Sequence, residues 1–266
     1  MALAAALACS VAAASAVPAC EPPGERAGFS REVATTLPPR LVVGVVAGGW
    51  APLEVFDGAT LTGFSADYLR LIAGAGVRLE PRVFPDMPAL LTAACAGEID
   101  IVMSLARTPS RERCLAFTVP YLTGTTAFVT RAGKASLATE PASLAHATFA
   151  VERGYVLESA LRERFAQARF ETFVSTPAAL RAVAEGKADV YAGFAPVARY
   201  QLTLDGFGDL RVAFAERNSL RLRFAVPVTK ADLRDRLDLL LAGVRPAAAA
   251  AVRARWLDGG MSSDAS

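Results

Sequence analysis

Two successive runs of alternating strand and helix patterns, followed by a strand that turns back, constrain this chain more than any other feature. The first run opens with a buried strand beginning Arg40-Leu-Val-Val-Gly-Val-Val. A helix over residues 65–73 is apolar at Tyr68, Leu69, Leu71 and Ile72, with Ser65 as cap and Gly74 as stop. A strand near 78–83 and a helix over 87–96 ended by Gly97 follow, then strands over 99–104, 117–120 and 126–130. The second run has strands over 148–152, 170–173, 189–192 and 210–214, with helices over 156–165, 177–185 and 196–204 between them. A strand over 222–226 leads back, and helices over 230–241 and 246–256 finish the chain. This order predicts an α/β protein of two lobes, each a mixed sheet flanked by helices. The chain is expected to cross between lobes twice, near Thr130 and near Ala225, so that a cleft can close like a hinge. Lobe 1 is then 40–130 with 226–257, and lobe 2 is 131–225.

Within the first run, the stretch from Gly97 to Tyr121 (GEIDIVMSLARTPSRERCLAFTVPY) is the most specific. An apolar run ends at small, polar Ser104, and Thr108-Pro109 then opens a short helix with proline at its first position. Arg111 is thereby placed just beyond the C-terminal edge of a sheet, where open α/β folds bind ligands. A guanidinium held there can grip a carboxylate with two parallel hydrogen bonds. By spacing alone, an ordinary surface arginine on a helix is the better reading.

Gly97, Asp100, Thr108, Arg111, Phe117, Thr118, Pro120 and Tyr121 together resemble the motif of the bacterial extracellular solute-binding proteins of family 3. The resemblance runs from about Leu41 to Trp256 and includes Pro52, Gly63 to Tyr68, Gly154, Gly186-Lys187-Ala188-Asp189 and Arg255-Trp256. Among family variants it is similar to the Venus-flytrap sensing domains of virulence-type hybrid histidine kinases and their free-standing relatives. The implied fold is the two-lobed, type II periplasmic-binding-protein architecture with a double-crossover hinge.

The first 19 residues carry no charge, are mostly Ala, Val and Leu, and end in Val17-Pro18-Ala19, an A-x-A-like site. They read as a secretory signal peptide, followed by a flexible leader over 20–39 and, at the other end, a disordered tail over 258–266. Cys20 opens a second reading, lipid anchoring, although proline before the alanine is unusual in that cleavage box. The location is expected to be the periplasm, where the environment is oxidising. Cys95 and Cys114 flank the same strand and are read either as a disulfide or as two small buried thiols.

Lys and Arg number 28 against 26 Asp and Glu, a net charge of +2 without a long basic block. Nucleic-acid binding is therefore set aside. His146 is the only histidine, and no cluster has metal-ligand spacing, so neither metal nor cofactor is expected.

The expected ligand-binding residues are Trp50, Ser104, Ala106, Arg111, Gly154, Tyr155, Val156 and Phe194. The resemblance implies an aromatic stacked over the ligand at Trp50, although an ordinary partly buried tryptophan fits as well. It also implies backbone or hydroxyl contacts from Ser104 and Ala106. Gly154-Tyr155-Val156 opens a helix whose free N–H groups would favour an anion. Arg107, where relatives have small or apolar residues, is expected to face solvent. Amino-acid-binding relatives place an aspartate where this chain has Phe194, and some place an acid where it has Ala47. A buried ammonium would then lack a partner, so the expected solute is a small carboxylate or other anion rather than an α-amino acid. Asp67 and Asp189 are expected to be structural.

No nucleophile–base pair or phosphate-binding glycine loop is present, and the chain reads as a binding protein, not an enzyme. It is expected to act as a monomer that captures its solute by hinge closure and passes it to an ABC transporter permease. The alternatives are a free-standing sensor acting in trans on a membrane partner and, behind it, an enzyme resembling cyclohexadienyl dehydratases.

Overall fold

The computed structural model describes residues 36–133, 141–204, 206–217 and 220–258. The expected signal peptide, Cys20, nearly all of the leader and the tail from 259 lie outside them. In chain order the first strands are β1 (Arg40–Val46), β2 (Val55–Phe56) and β3 (Leu61–Thr62), followed by α1 (Phe64–Ala73), β4 (Arg78–Phe84) and α2 (Met87–Cys95). Next come β5 (Ile101–Ala106), α3 (Pro109–Glu112), β6 (Leu115–Phe117), β7 (Leu122–Gly124) and β8 (Thr126–Arg131). The second run is β9 (Thr148–Glu152), α4 (Val156–Arg164), β10 (Arg169–Phe173), α5 (Thr176–Ala184), β11 (Val190–Phe194), α6 (Ala195–Leu202) and β12 (Leu210–Ala215). Strand β13 (Leu220–Pro227) and helices α7 (Ala231–Ala242) and α8 (Pro246–Trp256) close the chain.

Two mixed sheets result. The first has the order β4-β1-β5-β13-β6, with β7 also paired to β13, and the second has the order β10-β9-β11-β8-β12. In each, three parallel strands (β4-β1-β5 and β10-β9-β11) are extended by antiparallel ones. This is the two-lobed α/β architecture read from the pattern. The crossing points differ from expectation. Strand β8 pairs with β11 and β12, so it belongs to the second sheet, and all of β13 belongs to the first. The chain therefore changes sheets at Thr125 and again after β12 and before β13. Which sheet a strand joins is decided by its distant pairing partner, and no local pattern carries that.

The same local device builds the core of both lobes. Asp86 caps α2 by accepting from the Ala89 N–H at 2.9 Å, and Ser175 caps α5 by accepting from Ala178. Gly97 and Gly186, at φ of 78° and 76°, turn the chain out of each helix. Asp100 and Asp189 then accept the backbone N–H groups of Val42 (2.7 Å) and Thr148 (3.0 Å), which pins β5 beside β1 and β11 beside β9. Lys230 adds an ion pair to Asp100 at 2.6 Å.

Helix α1 starts one residue earlier than expected. Gly63 takes the cap position, and Ser65 lies inside the helix and is fully buried. Order also begins before Arg40: Leu37 is buried in the first core, and Arg236 donates to the Thr36 carbonyl at 3.0 Å. The end of the expected leader is thus packed, because Leu37 buries an apolar side chain there. Asp67 accepts from the Trp256 indole at 2.9 Å and pairs with Arg70 and Arg255, which ties α1 to α8.

Cys95, at the end of α2, and Cys114, after α3, are joined in a disulfide that closes a loop of sequence separation 19. Restricting the unfolded chain over that length stabilises by about 3 kcal/mol. Reduction is expected to lower the melting temperature by roughly 6–12 °C for a domain of this size. A melting curve that reductant leaves unchanged would show that the bridge adds nothing.

Candidate functional site

Strand β5 ends at Ala106 on the edge of the first sheet, and the Thr108 side chain caps α3 by accepting from the Arg111 N–H. That cap fixes the direction of the Arg111 side chain. One terminal nitrogen, Nη1, donates to the Ala106 carbonyl at 2.7 Å, and Nη2 reaches across to the Gly154 carbonyl in the second lobe at 2.9 Å. Arg111 is therefore a clamp between the lobes. Burial removes water from its charge and lowers its pKa from 12.5 to about 10, with Tyr155 acting in the opposite sense. Among the described residues no carboxylate pairs with it.

Trp50 arrives through Gly48-Gly49, both at positive φ. The Gly49 position leaves no room for a side chain, since a Cβ there would lie 2.4 Å from the Glu54 carbonyl oxygen. The tight loop is closed by reciprocal backbone bonds between Trp50 and Glu54, at 2.6 and 3.1 Å. It turns the indole into the cleft, where its ring lies 5.0 Å from Tyr155 and 5.8 Å from Phe194. Phe194, the last residue of β11, packs against the backbone at Gly124, where a Cβ would sit 2.4 Å from the ring. Aromatic side chains from both lobes thus fill the centre of the cleft. The remaining inner cavity, of about 20 Å³, is lined by Trp50, Ser104, Ala106, Arg111, Tyr155, Val156 and Phe194, among others. It has room for about one water molecule.

Seven of the eight expected residues line this cavity, all but Gly154, and three of the eight also make contacts within the protein that the sequence does not announce. The Ser104 hydroxyl donates to Ser65 Oγ at 2.8 Å, in a buried cluster with the Tyr121 hydroxyl, and so is held within the first lobe. The Gly154 N–H donates to the Glu158 carboxylate at 2.8 Å, so the start of α4 already carries an acid of its own. Gly154 contributes its carbonyl to Arg111 instead, and its Cα lies so close to Pro88 in the first lobe that a Cβ would sit 2.7 Å from the ring. Ala106 contributes only its carbonyl to Arg111 among these hydrogen bonds. Arg107 is exposed and pairs with Glu112. His146 is exposed in a turn, and Ala47 is exposed too.

Two carboxyl groups went unread in the sequence. Glu152, at the end of β9, is buried and lines the inner cavity with Arg111. Its Oε1 accepts from both Thr176 Oγ1 (2.6 Å) and the Tyr191 hydroxyl (2.7 Å). Burial nevertheless raises its pKa, against those two donors and the nearby Trp50. The buried Trp50 indole N–H lies nearby, and among the described residues no group accepts from it within hydrogen-bond geometry. Glu54, in the Trp50 loop, is buried, and desolvation raises its pKa from 4.5 to about 7, opposed by hydrogen bonding to Ser104. The expectation that no acid faces the cleft is therefore corrected, and with it the ground for excluding an amino acid. Glu152 had one readable signal, a charged residue closing an apolar strand at a ligand-binding sheet edge. Glu54 lies in a loop and had none.

A second, outer cavity of about 400 Å³ opens between the lobes where α3 and α2 face α4. It shares Arg111, Tyr155 and Val156 with the inner one, and has Gly154 and the Cys95–Cys114 bridge on its wall. No helix among the described residues is long and apolar enough to cross a membrane, and none of their His, Cys, Asp and Glu side chains form a group that could hold a metal.

Comparison with known proteins agrees with this architecture. The virulence sensor protein BvgS of Bordetella pertussis is 32% identical over 174 residues, which is 65% of this chain. Its Bordetella bronchiseptica counterpart is 31% identical over 173 residues, also 65% of the chain. The aligned part is 14% of the length of each of those sensors. The crystal structure of the Bordetella pertussis BvgS periplasmic VFT2 domain superposes with a TM-score of 0.73 at 25% identity, covering 82% of this chain and 93% of that one. Residues 41–258 match the bacterial extracellular solute-binding proteins, family 3, and the chain belongs to that family.

Proposed function

We propose that this protein works in the periplasm as a hinge-closing receptor that captures a small carboxylate-bearing solute and delivers it to an ABC importer. The observation that carries the reading is Arg111, a half-buried guanidinium without a carboxylate partner among the described residues, placed where both lobes meet. A ligand carboxylate would supply the counter-charge that such a group needs. Because Arg111 spans the lobes only in the closed arrangement, a solute bound there would favour closure by its differential affinity. The proposed role is binding rather than catalysis, and the receptor is proposed to act as a monomer.

A second reading is favoured by one specific observation. The inner cavity of about 20 Å³ is filled by the protein's own aromatic side chains, so the closed arrangement is packed in itself. A lobe pair stable in that form would present a closed surface to a membrane signalling partner, a reading supported by the likeness to the virulence sensor protein BvgS.

A thermal-shift screen against amino acids, aliphatic and aromatic carboxylates and dicarboxylates separates these readings. A ligand at about 100 times its Kd stabilises the folded protein by about 2.7 kcal/mol, a readily measured rise in melting temperature. A carboxylate hit supports capture, whereas amines that bind without a carboxyl group would overturn the Arg111 reading. No shift with any compound would move the function to the ligand-free sensor.

A further inference from the structure

We infer that the solute sits in the outer cavity between α3 and α4, outside the aromatic plug, and that it is a carboxylate with an apolar body. The inference rests on the carboxylate reading above and adds a place and a shape to it. Volume decides the place. The inner cavity of about 20 Å³ holds a water and nothing larger, while the outer one, of about 400 Å³, falls in the range of small-molecule sites. Opening the inner cavity would require separating Trp50 from Tyr155 and Phe194, both of whose rings contact the indole. It would also expose Phe194 and Trp50, both almost wholly buried, to water.

Chemistry decides the class. Arg111 lines both cavities, and among the described residues two of its five N–H donors are engaged, by the carbonyls of Ala106 and Gly154. Its charge has no carboxylate partner among the described residues that line the outer cavity. Arg162, the other cation on its wall, is already paired with Glu158 at 3.3 Å. Glu158 in turn is committed to Arg162 and the Gly154 N–H, so it leaves Arg111 unopposed. Leu91, Leu115, Val156 and the Cys95–Cys114 bridge supply an apolar wall for the rest of the solute. The two walls come from different lobes, α2 and α3 from the first and α4 from the second, so a solute here would still bridge the closed cleft.

The test uses the full chain, titrated calorimetrically with acetate, hexanoate and 3-phenylpropanoate. Ser159 is exposed on α4 and lines only the outer cavity, whereas Leu220 lines only the inner one. Ser159→Trp is expected to fill the outer cavity and weaken binding of the two larger acids at least about tenfold, while Leu220→Ala leaves their affinity within about threefold. Acetate, which lacks the apolar body, is expected to bind at least about tenfold more weakly than hexanoate. Circular dichroism melting of Ser159→Trp establishes that it is folded, and Ser110→Trp, on the facing wall, provides a second blockade. Affinities unchanged by both tryptophans, yet lost in Arg111→Ala, would overturn the outer placement and leave the carboxylate reading standing. Binding of none of the acids to the unsubstituted chain would overturn both.

Discussion

Arg111→Ala is expected to abolish carboxylate binding and to loosen the closed cleft at the same time. Truncating one partner of a buried, hydrogen-bonded charge pair costs about 2–5 kcal/mol, or roughly 30-fold to several-thousand-fold in Kd. The substitution also removes both hydrogen bonds that Arg111 makes, and one of these joins the lobes directly. Of the other polar bridges, Arg153 and Asp86 approach only to 3.9 Å, and the lobes are otherwise held by packing, of Gly154 on Pro88 and of Trp50 on Tyr155 and Phe194. Arg111→Lys separates the two effects, because lysine keeps the charge but lacks the fork that serves two carbonyls. It should retain part of the affinity while losing the clamp. Calorimetry reads the affinity, and small-angle X-ray scattering reads the opening as a larger radius of gyration. An Arg111→Ala protein that binds carboxylates as the unsubstituted protein does would remove Arg111 from the site.

How far this arrangement could be read in advance follows from where its causes lie along the chain. The Thr108-Pro109 cap, the glycines ending α2 and α5, and the aspartates that follow them act within a few residues of themselves. Each writes its consequence locally, and the position of Arg111 at the sheet edge followed from them. The sheet to which β8 belongs depends on β11 and β12, some 60 to 90 residues away, and so was assigned to the wrong lobe. Short β6 and β7 exist only because β13 pairs with them, so the strand expected over 117–120 overlaps β6 at Phe117 alone. Glu152 and Glu54 acquire their character from burial, which is a property of the assembled cleft. Tyr155 was expected as a pocket residue, but its contact with Trp50, which leaves the inner cavity so small, is set only when the two lobes meet.

Those buried acids give the second large effect, a stability that falls as pH rises. Glu54 keeps its proton in the folded protein up to about pH 7, because burial disfavours the carboxylate more than hydrogen bonding to Ser104 favours it. In the unfolded chain it ionises near 4.5. Between these values the folded state binds the extra proton, so stability declines with increasing pH. The contribution is whole below about pH 4.5 and has been lost once pH passes about 7. A gap of that width corresponds to about 3 kcal/mol. Glu152 acts in the same direction, since its pKa is also raised by burial. Asp57 opposes them: its carboxylate is held low by the Thr60 and Ala59 N–H groups, but it lies in solvent and carries little weight. The melting temperature is therefore expected to drop by roughly 6–12 °C between pH 5 and pH 8. Glu54→Gln, which keeps the shape and a hydrogen-bonding group without the ionisation, should flatten most of that slope and raise stability at pH 8. A slope that survives Glu54→Gln unchanged would assign the effect to Glu152, and Glu152→Gln would then remove it. A melting temperature independent of pH in the unsubstituted protein would mean that both acids ionise without cost, and that the cleft admits more water than its packing allows.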